Sequence, residues 1–156
     1  MARALTTAEQ ESFAAFYALE HASQVRRAAL LLGSDNAAHD VVHDAMVEVL
    51  LRWTTLELPG GYLNRAVLNG CRDAARRLAV RQRAPNRLAF VGSPGGEPEV
   101  LDDVLAELPF NHRAAVVLRY FHGLSTAEIA AALGCAPGSV GVWIDRALKR
   151  MREALT

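Results

Sequence analysis

The sequence predicts an all-α protein made of two small helical domains, and three observations carry that prediction. Hydrophobic residues make up 51% of the chain but aromatics only 6%, so the apolar content is mostly Ala, Leu and Val, as in compact helical proteins. Apolar positions recur at three- and four-residue spacing, and no stretch of strand length alternates apolar with polar. Between them, residues 84–100 carry Pro, Gly and acids without periodicity and read as a linker. The expected organisation is a helical domain over 1–83, the linker over 84–100, and a second helical domain over 101–156.

Helix one starts at Thr6 or Thr7, because Glu9 and Gln10 stand three residues on and complete a capping box. Phe13, Phe16 and Tyr17, then Val25, Ala28, Ala29 and Leu32, form a stripe expected to enter the core. Gly33 stops this helix, and Ser34-Asp35 offer caps for the next. Helix two runs from about Asn36 to Trp53, with Val42, Ala45, Met46, Val49 and Trp53 along one seam. Asp40, Asp44 and Glu48, with Glu57 beyond its end, make it acidic, and Arg52 is its one Arg or Lys. An acidic face beside an apolar seam suits docking on a basic helix, although such faces are more often merely solvated.

Pro59-Gly60-Gly61 is expected to break the chain, with Tyr62 opening helix three, which lasts to about Gln82. On a helical wheel Leu63, Val67, Cys71, Ala74 and Leu78 fall on one side. Arg65, Asn69, Arg72, Arg76 and Arg83 fall on the other, and Asp73 is the single acid within the helix. A row of arginines left unneutralised by its own helix, with an Asn among them, has the chemistry of phosphate contact and occasional base contact.

Leu101 to Leu108 reads as a short acidic helix and Pro109 to Phe121 as another. The final stretch is the most sharply punctuated. Ser125 and Glu128 form a capping box, Ile129, Ala132 and Leu133 give an apolar face, and Gly134 supplies the left-handed stop. Pro137 then restarts the chain at a first-turn position where its missing N–H costs nothing. Val140, Ile144, Ala147 and Met151 make the buried stripe of this last helix. Two short helices around such a turn make a helix-turn-helix, whose second helix usually enters a DNA major groove.

Composition bounds the remaining choices. Acidic and basic residues balance at 17 each, so nucleic-acid binding must come from local segregation of charge. Lys149 is the only Lys among the basic residues. Cys71 and Cys135 have no metal-type spacing and read as two half-buried thiols in a reducing cytoplasm. No leader pattern and no apolar run of membrane length is evident, so the expected location is cytoplasmic, without membrane contact. His39-Asp40-Val41-Val42-His43 resembles a zinc HExxH pattern with Asp for Glu; a third ligand would have to come from His21, His112, His122 or an acid. We expect two solvent-facing histidines there instead, and no metal. Neither a nucleophile elbow nor a phosphate-binding Gly loop is present, so the expected protein is not an enzyme and needs no cofactor.

Taken together, these stretches resemble the two-domain, extracytoplasmic-function members of the bacterial sigma-70 family. The resemblance is carried by FAAFY, RRAALLLGSDNAAHDVVHDAMVEVLLRW, PGGYLNRAVLNGCRDAARRL and the tail from ELPFNHR to MREAL. It implies a sigma factor that binds core RNA polymerase and directs initiation at promoters with −10 and −35 elements. Polymerase contacts would fall on Asp40, Asp44, Glu48 and Leu51. The −10 element would meet Arg65, Asn69, Arg72, Arg76 and Arg77. The loop from Thr54 to Gly61 would capture a base flipped from the melted non-template strand, where pocket contacts must offset a few kcal/mol of unstacking. The helix-turn-helix would read double-stranded −35 DNA through Ser139, Val142, Arg146 and Lys149. An anti-sigma or other regulatory protein is a further candidate partner.

Two departures matter. Where the family's recognition helix commonly carries Lys, Ser and Arg, this chain has Gly141, Val142 and Trp143. Where its polymerase-binding helix carries carboxylate and amide groups, this chain has His39 and His43. The alternative is therefore a sigma-like regulator that binds polymerase or another regulator with weak or lost −35 recognition. A third class, a free-standing helix-turn-helix repressor, would need a dimer surface and a palindromic operator.

Overall fold

The computed structural model describes residues 3–82 and 100–156, with side chains over 3–77 and 103–156. Seven helices account for the described elements: α1 (Thr7–Leu32), α2 (Asp35–Leu51), α3 (Pro59–Gln82), α4 (Val100–Glu107), α5 (Phe110–Tyr120), α6 (Thr126–Leu133) and α7 (Pro137–Leu155). The linker expected over 84–100 lies outside the described residues apart from Val100, which opens α4; Arg83 also lies outside them.

The caps decide where the helices begin and end. Thr6, not Thr7, is the N-cap of α1: its hydroxyl accepts from the Glu9 amide, and the Glu9 carboxylate accepts from the Thr6 amide. Gly33 ends α1 at φ 67°, a left-handed conformation that Gly adopts without a Cβ penalty. Ser34 then caps α2 through the Ala37 amide. Pro59-Gly60-Gly61 does not break the chain before α3. Pro59 is its first residue and the two glycines fill its first turn, since the ring presets a helical φ where no N–H partner is needed.

Helices α1, α2 and α3 pack on one another, α5, α6 and α7 do the same, and α4 packs on both α1 and α7. Gly70 sets the closeness of α2 and α3, because a Cβ there would lie 2.8 Å from the Val41 Cγ1. Ala28, Leu31, Val42, Val49, Leu63, Val67 and Cys71 are buried in the first group, and Val117, Leu118, Ile129 and Val140 in the second. α1 also touches α4 and α5, so the two groups of helices share a continuous apolar cluster.

Two core expectations need correction. Phe13 and Phe16 are only partly buried and Tyr17 is 39% exposed; they form an aromatic rim rather than core, with Phe13 5.4 Å and Phe16 5.2 Å from the Trp53 ring centroid. The physical reason is that α1 is longer than α2, so its first three turns meet only the end of α2, at Trp53. The cysteines also differ from one another, for Cys71 is fully buried and only Cys135 is half-buried.

Candidate nucleic-acid and partner interface

On α2 the buried positions Val42, Ala45, Met46 and Val49 turn inward, which leaves Asp40, Asp44 and Glu48 exposed on the outer face. Leu51 ends this helix 71% exposed, and Val47 and Leu50 stand exposed beside it. Val47 and Leu50 were not among the sequence-derived partner residues. They break the polar pattern of the outer face, which is the signal that marks them. The acids therefore border an apolar strip, and Leu58, in the loop that follows, is 79% exposed.

That loop is held at both ends. The Trp53 indole N–H donates to the Ser12 hydroxyl at 2.9 Å, and the Leu56 amide donates to the Arg52 carbonyl at 3.1 Å. The Tyr62 hydroxyl donates to Glu48 at 3.2 Å, while the Arg52 guanidinium lies 5.6 Å from the Tyr62 ring centroid. Its outer residues Thr54, Thr55, Glu57 and Leu58 are exposed.

On α3, Arg65, Asn69, Arg76 and Arg77 are exposed, while Arg72 is half-buried. Asp73 sits 4.0 Å from Arg76, with both side chains mostly in solvent, so Arg76 is little neutralised. Arg77 departs from the row: it lines an open cleft of about 410 Å³ between α2 and α3, together with Asp40, His43 and Asp44. Arg72 departs as well, since its guanidinium donates to the Ala132 carbonyl of α6 at 3.3 Å.

The helix-turn-helix follows the sequence closely. Ser125 and Glu128 exchange both capping hydrogen bonds, Gly134 closes α6 at φ 67°, and Pro137 begins α7 after a bend of 101°. On α7, Val142 is 46% exposed, Arg146 and Lys149 are exposed, and Ser139 is half-buried. Trp143 is half-buried and stacks on His112 of α5, with centroids 6.4 Å apart and planes 28° from parallel. It joins α7 to α5. Burial and the nearby Arg146 charge both hold His112 below its ordinary pKa.

A polar node that sequence reasoning missed lies where α1 meets the second group of helices. Arg27 is only 6% exposed; its Nε donates to His122 Nε2 at 2.6 Å, and its NH1 donates to the Asn64 side-chain oxygen at 3.1 Å. Gln24, also buried, donates to the same Asn64 oxygen at 2.5 Å. Burial, then the Arg27 charge, push His122 down to about 4, so the ring is neutral at ordinary pH. One signal was present: Gln24 and Arg27 fall on the helical face that carries Ala28 and Leu31, where a polar residue is unexpected.

The histidines lie apart except for His21 and His39, whose ring centroids are 6.1 Å from one another. His39 and His43 are exposed, His112 lies against Trp143, and His122 is engaged by Arg27. Among the described residues no group of three or more His, Cys, Asp or Glu could hold an ion.

Comparison with known proteins connects this arrangement to a family. The family described as Sigma-70, region 4 matches residues 99–151. The RNA polymerase sigma-E factor of Streptomyces coelicolor is 33% identical over 139 residues, covering 84% of this chain and 78% of the relative. The ECF RNA polymerase sigma factor SigL of Mycobacterium tuberculosis is 33% identical over 154 residues, covering 87% and 85%. The fold is similar to that of the sigma factor RpoE from Bartonella quintana, solved with the anti-sigma factor NepR: TM-score 0.73, 21% identity, 93% of this chain and 97% of that one. CnrH, solved with the cytosolic domain of CnrY, gives TM-score 0.64 at 23% identity, covering 94% and 88%.

Proposed function

The chain belongs to the ECF RNA polymerase sigma factors, and from that premise we propose that it binds core RNA polymerase and directs initiation at a two-part promoter. The observation that carries this reading is the order of surfaces along the chain: acidic and apolar on α2, basic on α3, then a helix-turn-helix whose first helix is capped at both ends. Residues 1–83 and 101–156 act as the two working domains, joined through 84–100.

In this reading α2 docks on polymerase. Asp40, Asp44 and Glu48 attract a basic partner helix, and Val47, Leu50 and Leu51 supply the apolar area that holds it. Arg65, Asn69 and Arg76 take the −10 backbone and base edges, joined by Arg72 when it is released from Ala132. The exposed rim of the 54–61 loop receives the flipped base. The helix-turn-helix meets the −35 element with Val142 toward a thymine methyl and Arg146 and Lys149 on phosphates. Catalysis belongs to the polymerase, so the protein works in the cytoplasm without a cofactor of its own. Because the RpoE and CnrH structures were solved with regulatory partners, an anti-sigma protein is the regulator proposed here.

Run-off transcription with core polymerase and a promoter library tests this directly. Defined starts that depend on the protein are expected; core polymerase that starts nowhere specific with it present would remove the reading. A second reading, polymerase binding with little −35 recognition, is favoured by one observation. Gly141 offers no side chain and Trp143 is turned onto His112, which leaves Val142 alone among the three departing positions to face a base. Footprinting decides between them: protection of −10 without −35 supports the second.

A further inference from the structure

Gly138 and Gly141 face solvent in the first two turns of α7, where each weakens the helix relative to Ala. Nothing inside the fold calls for them. Neither has a positive φ, and a Cβ built at either would meet nothing within 4 Å. A helical glycine with neither a backbone nor a packing reason points outward, since it lets another molecule come close to the main chain. Helical spacing puts Val142 and Asp145 on the same face, away from the buried Val140, Ile144 and Ala147. The groups on this face of α7 are thus absent or short up to Asp145, and only beyond it do Arg146 and Lys149 reach further.

Asp145 is the first acid of α7, and the next is Glu153. Its side chain is exposed, and Lys149 stands one turn on, yet among the described residues the ion pairs are Arg3 with Glu9 and Arg76 with Asp73. The Asp145 carboxylate is therefore left to meet whatever α7 meets. Against phosphates it repels every sequence alike. Against base edges it discriminates, because a carboxylate only accepts hydrogen bonds. In the major groove guanine presents N7 and O6, and thymine presents O4, all acceptors that repel it. Adenine sets its N6 donor beside the N7 acceptor. Cytosine presents its N4 donor with no acceptor of its own beside it, so cytosine fits best.

We propose that Asp145 selects a cytosine in the −35 element by accepting a hydrogen bond from its N4 amino group, and that Gly141 lets α7 sit deep enough for so short a side chain to reach the base edge. The proposal rests on the reading of the helix-turn-helix as the −35 reader. Arg146 and Lys149 hold phosphates beside the groove and offset the repulsion between the carboxylate and the backbone. Val142 meets the methyl group of a nearby thymine. The carboxylate adds little affinity and supplies discrimination, since a wrong base leaves it facing an acceptor.

The test uses holoenzyme assembled from core RNA polymerase and the full-length chain, which selects bound duplexes from a random-sequence library. The wild-type −35 motif should contain one C·G pair favoured about tenfold over every other pair at that position. Asp145→Ala should erase this preference and bind the disfavoured sequences more tightly, because the repulsion is gone. Asp145→Asn should move the preference to A·T, since an amide pairs with both N6 and N7 of adenine. Gly141→Leu, a better helix former in open space, should keep the fold and lose the C·G preference. Circular dichroism checks the helix content of all three variants. A wild-type −35 motif without such a pair, or one that Asp145→Ala leaves unchanged, overturns the assignment of Asp145. A preference unchanged in Gly141→Leu overturns the close approach. Selected duplexes that share a −10 motif and no −35 motif overturn the reading of the helix-turn-helix, and the proposal with it.

Discussion

Along α3, Arg65, Asn69 and Arg76 stand in solvent on a helix that opens without a side-chain capping box and carries two glycines in its first turn. Along α7, the second helix of a helix-turn-helix with a capping box and Gly stop on its first helix and a Pro restart on its second, the outward residues near its start are Gly138, Gly141 and Val142. One helix has rich chemistry on a plain scaffold, and the other a well-specified scaffold with sparse chemistry. Capping and packing set where a helix lies, whereas affinity for a polyanion follows from the donors it presents. The two properties vary independently, and a motif that announces its shape does not thereby announce its strength.

The largest expected effect tests the chemistry of α3. Arg72→Ala with Arg76→Ala should cost roughly tenfold to a hundredfold in −10 DNA affinity, about 1.4–2.7 kcal/mol. If both side chains hold phosphates, the slope of log K against log salt should also fall by roughly 1.4–1.8 in magnitude. A lower affinity with an unchanged slope would take the pair off the phosphates.

The next contrast concerns the two mid-helix glycines. Gly70→Ala drives a methyl group into the stiff Val41 side chain, where the Cβ would lie at 2.8 Å. Destabilisation of about 1–3 kcal/mol by urea titration is expected, as for other overpacked sites. Arg146→Ala with Lys149→Ala should then reduce −35 fragment binding only about three- to tenfold, because few donors are lost. A larger loss than in the α3 pair would reverse the comparison. The smallest effect comes from Gly141→Ala, where a Cβ meets nothing within 4 Å. Helix propensity alone predicts a gain of roughly 0.5–1 kcal/mol in stability, read as a higher urea midpoint with an unchanged m value.

Much of this was legible in the sequence because it is local. The Thr6–Glu9 and Ser125–Glu128 boxes, Gly33, Gly134 and Pro137 act within four residues, and each stands where the pattern placed it. The outward faces of α2 and α3 also follow from helical periodicity alone. The start of α3 was misread because Gly-Gly after Pro weighs toward a break, yet Pro at a first position favours a helix and the next turns are strongly periodic. The Arg27 node was not legible for another reason. Its acceptors lie 37 and 95 residues away in Asn64 and His122, and no spacing rule connects them. The turn of Trp143 onto His112 is similar, since a helical wheel puts residue 143 beside the reading face and only tertiary packing decides which way its ring lies.

That stacked pair has an optical consequence. The chain contains two tryptophans, one in each half: Trp53 among Phe13 and Phe16, and Trp143 against an imidazole on the helix proposed to meet DNA. Replacing Trp53 with Phe would leave a single tryptophan, excited selectively over the three tyrosines at the long-wavelength edge of absorption, whose emission depends on how α7 sits on α5. Docking at that helix could then be followed as a change in emission intensity, without a dye and without altering any residue assigned to the binding faces.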